Sequence, residues 1–260
     1  MKYMVFFILL FSSPALAQVS SDADQAKKYM ACIEEVEKDS KKSLITAKEW
    51  HVNGGGVPAQ HCEALSLYQQ SRYDEAAEIL EMIAEKVSKG EDIGSFAAQN
   101  TDLLSSQLRY LAARSWQMAE KYDQAYHVYT VAILALEKIP ALTYDFYIER
   151  GLLQADREEY QSAVEDFANA LKINYERIDA FLYRAETFRK MGEHVKARLD
   201  LNEALILEPN HPDILFESGA NYRMLNQDAK ARVEWRKIIE KYPETDLQKL
   251  AEDNLKLIDG

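Results

Sequence analysis

Ala163, Ala197 and Ala231 stand 34 residues apart, and each is followed four positions later by a bulky apolar residue, Phe167, Leu201 and Trp235. The same pair recurs at Ala76/Leu80 and Ala125/Tyr129. A spacing held this strictly means that one unit of supersecondary structure is copied along the chain. Residues 178–211 show the unit most clearly. Two stretches with apolar residues at i, i+3, i+4 and i+7 are broken at Met191-Gly192-Glu193 and stopped at Glu208-Pro209-Asn210. Each stretch is an amphipathic helix, and neither can bury its apolar face alone. Each hairpin must therefore stack on the next. Only 9 Gly and 6 Pro in 260 residues agree with helix throughout.

The pattern resembles the tetratricopeptide repeat, whose 34-residue signature reads W-x2-L-G-x2-Y, then A-x3-F, then P. Residues 178–211 match at Phe181, Ala185, Phe188, Ala197, Leu201, Ala204 and Pro209. Residues 212–245 match at Leu215, Gly219, Tyr222, Ala231, Trp235 and Pro243. Residues 144–177 match at Tyr147, Gly151, Ala163, Phe167 and Ala170, with Tyr175 where proline is usual. Residues 106–139 offer Arg109, Ala113, Trp116, Ala125, Tyr129 and Ala132, and residues 57–90 keep Ala64, Leu67, Ala76 and Leu80. Small residues let two helices approach, aromatics fill the space between hairpins, and Pro stops the second helix. The resemblance implies an all-α fold: a right-handed superhelical solenoid of antiparallel helix hairpins.

Two steps depart from the period. Ala76 to Ala125 is 49 residues, which places an insertion at 91–105, either a loop or an N-terminal extension of the next helix from near Thr101. Ala125 to Ala163 is 38, a smaller insertion near Ile139-Pro140. After Pro243, Thr245 and Gln248 have capping-box spacing. Leu247, Leu250, Ala251, Leu255 and Ile258 then give residues 246–260 one apolar face, as a helix closing the last repeat requires.

At the other end, residues 18–56 read as a degenerate repeat, because Ser43 lies 33 residues before Ala76 and a helix break falls around residues 37–40. In that register Cys32 and Cys62 lie on the first helices of adjacent units. First helices pack side by side in the family, so the resemblance lets the two thiols meet. A Cys32–Cys62 disulfide is the expected state, worth about 3–4 kcal/mol on the chain-entropy argument. Two free thiols and a zinc site with His51 and His61 are the alternatives; neither C-x2-C nor H-x3-H spacing supports the metal, and none is expected. The intervening Gly54-Gly55-Gly56 lacks the lysine and hydroxyl of a phosphate loop and the strand of a dinucleotide fold. It reads as a turn, with Pro58 opening the next helix.

Residues 1–17 carry one Lys, an apolar run from Met4 to Phe11 and Ala15-Leu16-Ala17, the layout of a secretory signal. The apolar run is too short to span a bilayer, no Cys sits at the cleavage point as in a lipoprotein, and N-x-[ST] is absent. These features point to an exported chain, best placed in a bacterial periplasm. The net charge of −12 disfavours nucleic acid and anionic lipid as partners. No H-E-x-x-H or G-x-S-x-G occurs, His127, His194 and His211 are scattered, and the carboxylates read as solvated helix faces. No catalytic residue and no cofactor is expected.

First helices of the family line a concave groove for a segment of another protein. Carried onto this chain, the groove positions are His61, Leu65, Tyr68, Tyr110, Arg114, Gln117, Ile148, Leu152, Leu182, Glu186, Arg189, Phe216 and Arg223. Leu182 and Glu186 stand where a carboxylate clamp of the chaperone-binding kind needs Lys and Asn, so that clamp is expected to be absent. Aromatics and Arg suit a partly apolar peptide. The reading is a protein-binding scaffold; an accessory subunit of a cell-envelope assembly is the alternative, and an enzyme on this frame the least favoured.

Overall fold

The computed structural model describes residues 18–91 and 100–259. Residues 1–17, where the sequence suggests a secretory signal, and residues 92–99 of the expected insertion lie outside the described residues. Among the described residues there is no strand, and each helix packs chiefly on its neighbours in sequence. This is an all-α array of antiparallel helix hairpins. Its contacts divide it into two units, Met1–Ala135 and Leu136–Gly260.

The first unit holds α1 (Gln18–Lys38), α2 (Ser40–Trp50), α3 (Gly56–Gln69), α4 (Tyr73–Lys89), α5 (Thr101–Met118) and α6 (Tyr122–Ala135). Asp39 separates α1 from α2, and its carboxylate accepts the Lys42 N–H at 3.1 Å, satisfying one donor of the new helix. A loosely wound turn, His51–Gly55, joins α2 to α3. Gly54 and Gly56 have φ of 87° and 52°, which side chains resist. Gly55 answers to space instead, since a Cβ there would lie 2.7 Å from the Trp50 ring. Pro58 falls in the first turn of α3, where a missing N–H costs nothing. The core here runs through Val36, Ala47, Cys32 and Cys62, then Leu44, Leu67 and Ala76. α5 begins at Thr101, so the described end of the insertion is helical.

The second unit opens with a 3-10 turn, Pro140–Leu142. It continues with α7 (Tyr144–Asp156), α8 (Tyr160–Ile173), α9 (Ile178–Lys190), α10 (His194–Leu207), α11 (Pro212–Met224), α12 (Asp228–Lys241) and α13 (Asp246–Asp259). Phe167, Phe181, Leu201 and Ile214 centre one cluster, and Leu215, Trp235, Ile238 and Ala251 the other. Thr245 Oγ1 accepts the Gln248 N–H at 3.1 Å while Gln248 Oε1 accepts the Glu244 N–H at 2.6 Å. This reciprocal cap fixes the start of α13. α13 then lays Leu247, Ala251, Leu255 and Ile258 over the Trp235 cluster.

Hairpin turns in both units share one device. Ser71, Glu120, Glu158, Gly192 and Asn226 each take a φ between 57° and 77°. The chain reverses there with backbone bonds such as Glu159 N–H to Gln154 O (2.8 Å) and Glu193 N–H to Phe188 O (2.8 Å), the left-handed helix stop.

Candidate functional site

Several carboxylates are not on solvated faces, contrary to the sequence expectation. Arg150 on α7 grips Asp166 on α8 through two bonds of 2.7 Å. One repeat on, Arg184 on α9 grips Asp200 on α10 at 2.8 and 2.6 Å. Both aspartates are buried, and burial pushes each carboxyl upward while its arginine pulls it down. Each pair pins the two helices of its hairpin in one register. The paired 34-residue recurrence of both partners was the signal in the sequence; charge alone did not distinguish it from a surface pair.

Ends of α7 and α9 are tied similarly. Arg177 bridges Asp145 (2.7 Å) and Asp179 (2.6 Å) and lies 3.9 Å over the Tyr144 ring, whose hydroxyl donates to Asp179. Glu217 on α11 is buried and pairs with Arg189 on α9, so Arg189 spans two first helices. Its guanidinium is therefore committed to the fold, where the sequence had offered it to a partner.

The remaining positions of this unit that the resemblance assigned to a groove fall along α7, α9 and α11, which lie side by side. Ile148 is buried in the Phe167 cluster. Leu152, Leu182 and Phe216 are half-buried, packed on the core by one side of the chain and open on the other. Glu186 stands one turn from Leu182 and pairs with Lys190, at 3.7 Å. Arg223 is half-buried and makes no ion pair among the described residues.

In the first unit, Leu65 packs on the Cys32–Cys62 cluster, and Tyr68 packs edge-on to Tyr73 at 5.1 Å. Tyr110 is half-buried and Arg114 exposed on α5. Gln117 turns into its own hairpin, accepting the Tyr129 hydroxyl at 2.8 Å. His61 is covered by Tyr29 of α1: the rings stack at 5.9 Å, and the Tyr29 hydroxyl and His61 Nδ1 share a 2.8 Å hydrogen bond. Burial lowers the His61 pKa to about 4, so the ring is neutral at physiological pH.

Cys32 and Cys62 form a disulfide, Cα–Cα 6.3 Å, that joins α1 to α3. Both are buried, and the Ser43 hydroxyl lies 3.3 and 3.7 Å from the two sulfurs. The zinc alternative thus loses its thiolates. His51 faces Glu63 at 4.0 Å, on a different side of α3 from the Tyr29-covered His61. No group of three metal-ligating side chains occurs among the described residues, and no described helix is long and apolar enough to cross a membrane.

Residues 213–245 match the family model of the tetratricopeptide repeat. No curated protein matches the chain in sequence. Solved structures of similar fold include Pseudomonas aeruginosa pilF, with a TM-score of 0.59 and 12% identity over 90% of this chain and 98% of that one. YrrB, described as a tetratricopeptide-repeat protein with an unusual peptide-binding site, has a TM-score of 0.54 and 17% identity over 79% of this chain and 96% of that one. MamA has a TM-score of 0.54 and 15% identity over 68% of this chain and 93% of that one. At such identities the likeness is one of fold.

Proposed function

We propose that this tetratricopeptide-repeat protein is a non-catalytic scaffold, working outside the cytoplasm in a bacterial periplasm, that binds a peptide segment or helix of a partner protein. The observation that carries the reading is the α7–α9–α11 face. Leu152, Leu182 and Phe216 are held half-open in a row of three first helices, on the same face as Arg223, which makes no ion pair among the described residues. Anchored apolar side chains with a cation at one end suit an extended or helical segment, because they are already ordered before binding. The peptide-binding site named for YrrB is compatible with the same use of this fold. A buried disulfide is at home in an oxidising compartment, which supports export.

A photoreactive amino acid placed at Glu186, on the side of α9 that carries Leu182, tests the reading in intact cells. Protein adducts are expected from Glu186 and not from the outward-facing Gln161 of α8. Adducts from Gln161 alone would place binding on the other side of the array. Leu182→Asp with Arg223→Glu is expected to remove the Glu186 adducts while leaving the circular dichroism spectrum intact.

A further inference from the structure

Helix α10 is apolar on both of its sides. Inward, Ala197, Leu201 and Ala204 are fully buried. Outward, Val195, Leu199 and Ile206 are 70%, 61% and 72% exposed, and Asn202 is exposed among them. These four residues follow at steps of 4, 3 and 4, the a/d spacing of a coiled-coil seam, so they stand in one row. Single exposed apolar residues are ordinary. A row is not, and the neighbouring hairpins lack it: 34 residues earlier α8 presents Gln161, Glu165 and Lys172, all exposed. On α12 only half of the row is kept: Ala229 and Val233, the latter 53% exposed, correspond to Val195 and Leu199, but Arg236 and Glu240 stand where Asn202 and Ile206 would be.

We propose that a second copy of this chain docks on this row, α10 against α10, antiparallel about a two-fold axis. The row is complementary to itself in that orientation. Val195 meets Ile206 of the second copy, and Leu199 meets Asn202 of the second copy, each contact made twice by symmetry. Flanking charge agrees. Lys196 and Glu203 lie seven residues apart along one edge of the row, and antiparallel two-fold pairing brings like edges together, so Lys196 faces Glu203 of the second copy. A parallel pairing would need the other edge, but Arg198 there is turned inward, to the Ser218 hydroxyl (2.8 Å) and over the Tyr222 ring (4.3 Å). Lys196 now pairs with Glu193, and Glu203 accepts the Tyr175 hydroxyl at 2.9 Å. The Tyr175 contact is solvent-exposed and Lys196 itself stands open to solvent, so both contacts cost little to exchange.

Four side chains on one helix bury on the order of 400 Å² per copy, about half of what a standard stable interface buries. The association is therefore weak and concentration-dependent. Sedimentation equilibrium of the full chain up to about 1 mM, the weak end of specific association, reads it directly. The average mass should climb from one chain towards two. Leu199→Asp should abolish the climb. Glu203→Lys, which sets two lysines against each other, should move it to roughly tenfold higher concentration, and adding Lys196→Glu should restore it. Leu199 and Lys196 are exposed and Glu203 is half-buried against the Tyr175 hydroxyl, so thermal melting is measured for each variant, and unchanged melting separates lost docking from lost folding. A single-chain mass over the whole range overturns the proposal. So does a dimer indifferent to Leu199→Asp, or one that the charge swap fails to restore.

Discussion

Gly219 and Gly151 show how one residue can invert a general rule. Alanine in mid-helix normally stabilises by about 1 kcal/mol over glycine. A Cβ on Gly219 would lie 2.6 Å from Trp235 Cε2, and one on Gly151 2.7 Å from Phe167 Cε1. Both rings are fully buried. Gly219→Ala and Gly151→Ala should therefore each destabilise by about 1–3 kcal/mol, read from urea denaturation. His61 gives a pH dependence. Its folded pKa of about 4 lies below the unfolded value of 6.5, so the unfolded chain binds the proton more readily between them. The stability from the buried neutral ring is present above pH 6.5 and is lost as pH falls towards 4, by up to roughly 3 kcal/mol. Buried Asp166, Asp200 and Glu217 have raised values, so their contribution has the opposite sign: present below the ordinary carboxylate range and lost as pH rises. The comparison that isolates the histidine is His61→Phe against wild type at pH 7.5 and 5. The difference in denaturation midpoint should narrow at the lower pH; a constant difference would show that folding does not shift the pKa of the ring.

At the scale of the helix pair, the hairpin is held by shape and by one buried ion pair. Asp200→Ala strands the Arg184 guanidinium and should cost about 3 kcal/mol. Arg184→Met with Asp200→Leu should recover most of that loss, since a buried pair offsets its Coulomb energy with desolvation. If the double variant is as unstable as the single, the pair contributes net stability. The turn is equally specific. Gly192 has φ 77° with no neighbour within reach of a Cβ, so Gly192→Ala should cost about 1 kcal/mol through backbone strain alone. Glu158 tolerates the same geometry at φ 63°, and Glu158→Gly should relieve part of a similar cost. Sequence reasoning marked one of these breaks, Met191-Gly192-Glu193, from the hydrophobic period. It had no access to their left-handed geometry, because Ser71, Glu120 and Glu158 are not residues that announce it.

Across the whole molecule, helices contact mainly their sequence neighbours, so a local loss stays local. Cys32→Ala with Cys62→Ala should lower the stability of the α1–α3 region by about 3–4 kcal/mol. Hydrogen exchange should show that loss in α1 and α2 and leave α7–α13 protected; uniform loss would mean that the chain unfolds as one. Much of this fold was written in the sequence, because a repeat imposes its period on residues that chemistry reads easily: Ala163, Ala197 and Ala231 where helices touch, Phe167 and Trp235 where space must be filled. The cysteine partners followed from the same register. What the tertiary structure alone decided was the commitment of individual polar side chains. Arg189 and Gln117 occupy positions that a repeat pattern leaves open to a partner, yet Glu217 holds one and Tyr129 the other. Tyr29, one hairpin away, closes over His61. A period fixes which way a helix face points, since that depends on 3.6 residues per turn. It does not fix which side chain on the neighbouring helix reaches across, since that depends on packing between residues 12 to 32 positions apart.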